Sequence, residues 1–332
     1  MSDKKVVLIT GCAKGGIGYE YCKAFAEKNC HVFASDIGSR THELPTESNI
    51  EGLELDVSSD ESVASAVSSV IAKCGKIDIV INNAGVGCPG PLVELSLDEV
   101  RKTWEVNALG QLRVIQNVVP YMAEQRSGRI VNIGMVSKTL DTLYWTYISK
   151  YWWIHIRSVV GKVATPWAGS YSTSKASVHS MTNTLRLELR PFGIQVLLVI
   201  PGVVRSNIGN AGLMKVADKE WKLYSEFKEA IAERANASQT DKSTEATLFA
   251  KHVAKKVLSS SPPREIVFGH MTTLFGLLYW SPLWFRDYFF RNRFDLNKKV
   301  SRVQEQLILE LHWGLVQVSK YVFDTIFVAI DT

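Results

Sequence analysis

Along the first two hundred residues, the pattern of apolar and polar positions switches repeatedly between two periods. Val6–Thr10, His31–Ser35, Leu53–Asp56, Ile77–Ile81, Arg129–Ile133 and Ile194–Ile200 are short runs rich in β-branched and other apolar residues. Such runs predict strands buried on both faces. Between them, Tyr19–Lys28 and Glu61–Lys73 place apolar residues every third or fourth position and predict amphipathic helices. Ser96-Leu-Asp-Glu99 has the spacing of a capping box and opens a predicted helix that runs to about Glu124. Strand and helix alternating with short connections predict an α/β fold, a single doubly wound parallel sheet of Rossmann type with helices on both faces. Sheets of this kind take ligands outside the carboxyl ends of their strands, near the point where strand order reverses. The turns that follow the strands therefore carry the candidate site.

The first of these turns is Thr10-Gly11-Cys12-Ala13-Lys14-Gly15-Gly16-Ile17-Gly18. Glycine is needed where the backbone turns tightly, approaches a pyrophosphate and lets a helix pack on a strand. The helix N-terminus that follows offers free N–H groups and a positive dipole end to phosphate. Gly11, Lys14, Gly15, Gly16, Ile17 and Gly18 are thus candidate dinucleotide contacts. The second strand ends near Asp36, where an acid accepts hydrogen bonds from the ribose hydroxyls and repels a 2′-phosphate, the pattern of NAD(H). Lys14 and Arg40 argue the other way, because both could meet a 2′-phosphate. Asp56 closes the third strand and is a candidate for the adenine edge, with a plain turn acid as the alternative. Asn83, Ala84 and Gly85 end the fourth strand with small residues that admit the nicotinamide side of a cofactor.

Composition narrows the class. Of 332 residues 46% are hydrophobic and 21% charged, which excludes a disordered chain, a collagen-like repeat and a polytopic membrane protein. A net charge of +5 spread along the chain does not mark a nucleic-acid binder. All five cysteines lie within the first 88 residues, odd in number and without a CxxC pair, so neither a metal site nor a disulfide framework is expected. Met-Ser-Asp-Lys-Lys leads straight into the first strand without a signal-peptide core, and a reducing, cytosol-facing compartment is the expectation.

Tyr171-Ser-Thr-Ser-Lys175 sets a phenol and an amine four residues apart, on one face of a helix. Tyr19/Lys23 and Tyr224/Lys228 share the spacing, so context must separate them. Only Tyr171 has a serine, Ser158, 13 residues upstream, and Asn107 sits midway along the preceding long helix. With the glycine turn, Asn82–Gly85 and Pro201-Gly202-Val203-Val204-Arg205-Ser206, these residues resemble the short-chain dehydrogenase/reductase family. The resemblance implies that Tyr171 is the general acid/base of hydride transfer, its pKa lowered by Lys175 and a positive nicotinamide. It further implies that Lys175 holds the nicotinamide ribose, Ser158 bonds the substrate carbonyl, and Asn107 supports a proton-relay water. Pro201, Gly202, Val204 and Ser206 join the implied cofactor contacts. Thr165-Pro-Trp-Ala-Gly169, Thr184–Leu189 and Arg205-Ser-Asn-Ile208 look closest to the family's NADPH-dependent 1-acyldihydroxyacetone-phosphate reductases. That likeness covers about residues 5–295 and favours NADP(H), whereas Asp36 keeps NAD(H) open.

Two pieces fall outside the family pattern. The strand Arg129–Ile133 should deliver the catalytic serine just after Gly134, where Met135 stands instead. Removing residues 135–157 restores the pattern, so this block reads as an insertion. Six of its 23 residues are aromatic. It is either a retained intron or faulty gene model, or an aromatic hairpin that touches a membrane or covers the substrate. An insertion here could also displace Ser158 and leave a catalytically impaired cofactor-binding protein. Asn207–Lys215 is expected as a mobile substrate loop, with helical Lys219–Arg234 and Ser243–Leu258 beyond it. After a reductase domain spanning 1–268, residues 269–302 set apolar Met271–Phe285 beside six basic and two acidic residues. That combination predicts a peripheral anchor on anionic lipid; a wall of the substrate pocket or a homodimer contact is the alternative. Residues 303–332 remain an unassigned tail. The expected function is NAD(P)H-dependent reduction of a ketone on a lipid substrate at the endoplasmic reticulum or lipid-droplet surface. 1-Acyldihydroxyacetone phosphate leads, and a hydroxysteroid or retinoid is the alternative.

Overall fold

The computed structural model describes residues 4–135 and 165–298. The insertion beyond Met135, Ser158 and the tail 303–332 lie outside the described residues. Seven strands form one sheet: β1 Val6–Thr10, β2 His31–Asp36, β3 Ile50–Glu54, β4 Ile79–Asn82, β5 Gly128–Ile133, β6 Ile194–Pro201 and β7 Glu265–Phe268. All neighbours pair in parallel, in the order β3-β2-β1-β4-β5-β6-β7. Strand order reverses between β1 and β4, so the glycine turn and the Asn82–Gly85 segment flank one crevice.

The near-continuous apolar runs follow from burial on both faces. In β1, Val7 and Ile9 pack on one side with α1 (Ile17–Ala26) and α8 (Ala246–Val257), while Val6 and Leu8 pack on the other. That second side is covered by α2 (Asp60–Cys74), α4 (Gly110–Glu124) and α5 (Gly169–Glu188). The period-two alternation of Cβ directions thus sorts residues into two cores. The capping box forms as predicted: Glu99 N–H donates to Ser96 Oγ at 3.2 Å, and Ser96 N–H donates to Glu99 Oε2 at 3.0 Å.

Four expectations need correction. The third strand is Ile50–Glu54 rather than Leu53–Asp56, because its register against β2 starts at Val32↔Ile50 and ends at Asp36↔Glu54. Leu55 and Val57 are buried beyond the last rung, which is why the apolar pattern ran on. The long helix after Ser96 is three pieces: α3 (Leu97–Trp104), a π-helical turn (Glu105–Leu109) and α4. Residues 207–215 are no irregular loop but part of α6 (Asn207–Ala217), tied down at its start. Asn207 N–H donates to Gly15 O at 3.0 Å and its Nδ2 to Lys14 O at 2.8 Å. The helix expected from Lys219 begins only at Lys228, as α7 (Lys228–Ala235), after a 3-10 turn at Ser225–Phe227. Strand β7 was not foreseen; four residues behind a Pro-Pro pair give too short a pattern.

The segment after β7 forms α9 (Thr272–Trp280) and α10 (Leu283–Arg293). Among the described residues no helix is long and apolar enough to cross a membrane. Leu278, Tyr279, Phe290 and Phe294 face inward and join Trp167, Trp221, Phe227 and Ile231 in a third apolar cluster beside the cleft described next.

Candidate active site

The glycine turn has the shape its residues imply. Gly11 adopts φ +72° and Gly15 φ +81°, in the left-handed region that favours glycine. A Cβ on Gly11 would come within 2.7 Å of Ala84 Cα, and one on Gly18 would collide with the Gly11 carbonyl. Gly16 is the N-cap of α1 and supplies no side-chain cap, so the first-turn N–H groups face the turn uncovered by a side chain. Asn83 seals the crevice from the β4 side. Its Nδ2 donates to Thr10 O and Gly11 O, both at 2.9 Å, and Thr10 Oγ1 accepts from Asn83 N–H and Ala84 N–H at 3.1 Å. A cradle with no room for a Cβ at Gly11, Gly15 or Gly18, and with helix N–H groups presented to it, fits a dinucleotide pyrophosphate.

Asp36 is 8% exposed and already engaged. Oδ2 accepts from Ala13 N–H at 2.9 Å and Oδ1 from Ile37 N–H at 3.0 Å. It therefore braces the glycine turn as well as lying where a ribose would. Arg40 pairs with Glu43 at 2.9 Å, whereas Lys14 is exposed. Asp56 accepts from the N–H and hydroxyl of Ser58, the local bonding of a turn acid. Pro201, Gly202, Val204, Ser206 and Ile17 line the mouth of the neighbouring cleft.

Tyr171 and Lys175 lie one turn apart at the start of α5, with Lys175 Nζ 5.8 Å from the Tyr171 ring centre. Lys175 is buried, and Nζ donates to Ile133 O at 2.9 Å, at the carboxyl end of β5. Asn107 sits in the π-helical turn, fully buried. Its Oδ1 accepts from Val86 N–H at 2.8 Å, and its Nδ2 donates to Val86 O at 3.0 Å and Ser174 Oγ at 3.1 Å. The extra residue of that turn aims Asn107 at the segment between β4 and α3. Asn107, Tyr171 and Lys175 thus meet behind Gly85. Ser158 lies outside the described residues, and Met135 lines the cleft in the place the family pattern gives to serine.

Burial sets the ionisation of the group. It pushes the Tyr171 phenol up to about 12, opposed by the charge of Arg234, and pulls the Lys175 ammonium down to about 8. Burial also holds His179, one turn beyond Lys175, at about 4, and its Nε2 accepts from Met135 N–H at 3.2 Å. A neutral phenol facing the cleft can donate a proton to a developing alkoxide, and a dinucleotide bound in the cradle would supply the hydride.

Sequence reasoning missed three residues here. Arg234 lines the cleft beside Tyr171; its signal was a cation three positions after buried Ile231, on the same helix face. Thr165 belongs to a quoted motif but had no role until its contact with Arg234 appeared. His179 follows Lys175 by four residues, a spacing that many surface histidines share.

Residues 5–145 and 153–216 match the family model for short chain dehydrogenase, and the break at 146–152 falls inside the aromatic block. A short-chain dehydrogenase of Hypocrea virens, virD, is 30% identical over 300 residues, covering 89% of this chain and 94% of its own. The NADPH-dependent 1-acyldihydroxyacetone phosphate reductase of Saccharomyces cerevisiae is 27% identical over 305 residues, covering 89% and 93%. In fold, a short-chain dehydrogenase from Streptomyces avermitilis superposes with a TM-score of 0.65 at 23% identity, covering 82% of this chain and 91% of that one.

Proposed function

This chain belongs to the short-chain dehydrogenase family, whose members are NAD(P)-dependent oxidoreductases, and on that premise we propose that it reduces a ketone on a lipid-like substrate. Tyr171 gives the proton and Lys175 and Asn107 hold the site in register. The observation that carries the reading is the half-buried Tyr171, backed by buried Lys175 and Asn107, opening into a cleft whose walls are largely apolar, among them Ile208, Val203 and Phe275. 1-Acyldihydroxyacetone phosphate is the leading substrate; the yeast relative's name and the apolar cleft both support it. NADPH is the favoured cofactor. Its support is the yeast relative's name and exposed Lys14 at the glycine turn; the Asp36 carboxylate, accepting from two backbone N–H groups, repels a 2′-phosphate and keeps NADH as the alternative.

A peripheral place on a cytosol-facing lipid surface, at the endoplasmic reticulum or a lipid droplet, is part of the same proposal. Its support is the outer face of α9 and α10, where Leu277, Trp280, Leu283, Trp284 and Tyr288 are exposed above a basic flank.

The test is oxidation of NADPH and NADH by the purified protein with 1-acyldihydroxyacetone phosphate and with a steroid ketone, with and without residues 135–157. Tyr171→Phe is expected to lose about 10²- to 10⁴-fold in rate while still binding cofactor. Full activity of that variant would reject the assignment.

A further inference from the structure

Resting on the ketone-reduction reading above, we propose that Arg234 and Thr165 form an anion subsite in the substrate cleft, one that holds a phosphate carried next to the reacting ketone. Arg234 lies in the last turn of α7, where adjacent side chains part company. Glu233 turns outward to Arg293 at 2.5 Å, while Arg234 lines the cleft with Tyr171. Its Nε and one terminal nitrogen both donate to Thr165 Oγ1, at 3.2 and 3.1 Å. A guanidinium has five N–H donors, and one hydroxyl oxygen accepts two of them. No carboxylate pairs with it among the described residues.

Thr165 is itself held in place. Trp167, at φ +64°, wedges against Tyr224 and Phe227 with ring centres 5.2 and 5.8 Å away, and its carbonyl accepts from Gly90 N–H at 2.8 Å. The Thr165–Gly169 motif therefore docks one wall of the cleft against the approach to α7 and fixes a hydroxyl under the guanidinium. Burial works against the Arg234 charge, and among the described residues the acid that opposes this is the Tyr171 phenol. A half-buried cation with no carboxylate beside it among the described residues is costly, and an anionic ligand group would offset that cost. Arginine forks match phosphate oxygens in pairs, and a phosphate near the carbonyl would orient that carbonyl toward Tyr171.

The experiment compares short-chain 1-acyldihydroxyacetone phosphate with its dephosphorylated ketone as substrates of the full chain. In Arg234→Met, the ratio of their kcat/KM values is expected to fall by about 10- to 100-fold, with Arg234→Lys between it and wild type. Quenching of tryptophan fluorescence by short-chain 1-acylglycerol 3-phosphate and by the matching monoacylglycerol gives a readout free of turnover. Arg234→Met should weaken the phosphate ligand by a similar factor and leave the neutral ligand's affinity in place. An unchanged ratio and unchanged phosphate affinity would overturn the subsite, as would equal weakening of both ligands. If wild type reduces neither ketone, the function above fails, while the fluorescence titration still decides the subsite. Should Arg234→Met not fold, Arg234→Lys decides it on the same two readouts.

Discussion

Lys175 carries a charge where the fold least favours one. Its acceptor among the described residues is Ile133 O, and burial lowers its pKa from 10.5 to about 8. A depressed folded pKa means the unfolded chain holds the proton more tightly. Stability is therefore lost as pH falls from about 10.5 to about 8 and stays reduced below that, by about 3 kcal/mol. Lys175→Met is expected to raise the melting temperature of the cofactor-free protein at pH 7 while abolishing turnover. The gain should shrink as pH climbs toward 10.5, which scanning calorimetry across pH can follow. The carbonyl left behind is not orphaned, because Gln111 Nε2 also reaches Ile133 O, at 3.5 Å. A stability gain with loss of function would identify Lys175 as a residue kept for chemistry.

At the scale of elements, the site depends on how three of them end or break. The π-helical turn between α3 and α4 delivers Asn107 to Val86. The exit of β5 supplies Ile133 O to Lys175 and Met135 N–H to His179. The last contact ties α5 to the strand through a neutral ring, since a protonated His179 could not accept. Its folded pKa near 4 against 6.5 unfolded makes stability fall as pH drops from about 6.5 to about 4, by about 3 kcal/mol. His179→Gln keeps an acceptor for Met135 without a titrating ring. That variant should flatten this part of the pH–stability curve in acid-unfolding titrations. A curve as steep as wild type would assign the loss to other groups. The aromatic Thr165–Gly169 segment plays the same part for α7, joining it to the cleft wall through Trp167.

At the scale of the molecule, the sheet divides the labour between its two sides of the switch point. The glycine turn after β1 and the Asn82–Gly85 segment after β4 form the cradle, and α5, α7 and α9 enclose the neighbouring cleft. Helices α9 and α10 serve two surfaces. Phe275 lines the cleft and Leu278 and Phe290 sit in the core, while Trp280 and Trp284 are 63% and 69% exposed. If the substrate is the lipid proposed above, an apolar face beside the cleft would let it pass from a bilayer without crossing water. Replacing Trp280 and Trp284 together with serine should reduce co-sedimentation with phosphatidylserine-containing vesicles by about tenfold and change turnover of a water-soluble ketone little. Equal sedimentation of both proteins would remove the lipid surface from the proposal.

Much of this was legible in the chain because it rests on local rules. Strands buried on both faces must be apolar throughout, turn positions with no room for a Cβ must be glycine, and a capping box must keep its three-residue spacing. The sheet, the cradle and the Tyr171–Lys175 pair follow from such rules. Tertiary structure decided what depends on residues far apart in sequence. The register that starts β3 at Ile50 belongs to its partner β2. The order of α6 comes from Asn207 reaching the glycine turn nearly two hundred residues earlier. The meeting of Arg234 with Thr165 and Tyr171 joins segments that no period or motif links. Local geometry is written into neighbouring residues, whereas the charge in a cleft is set by whichever distant side chains the packing brings to it, and there the fold alone placed the Arg234 guanidinium, with no carboxylate partner among the described residues, beside the Tyr171 phenol.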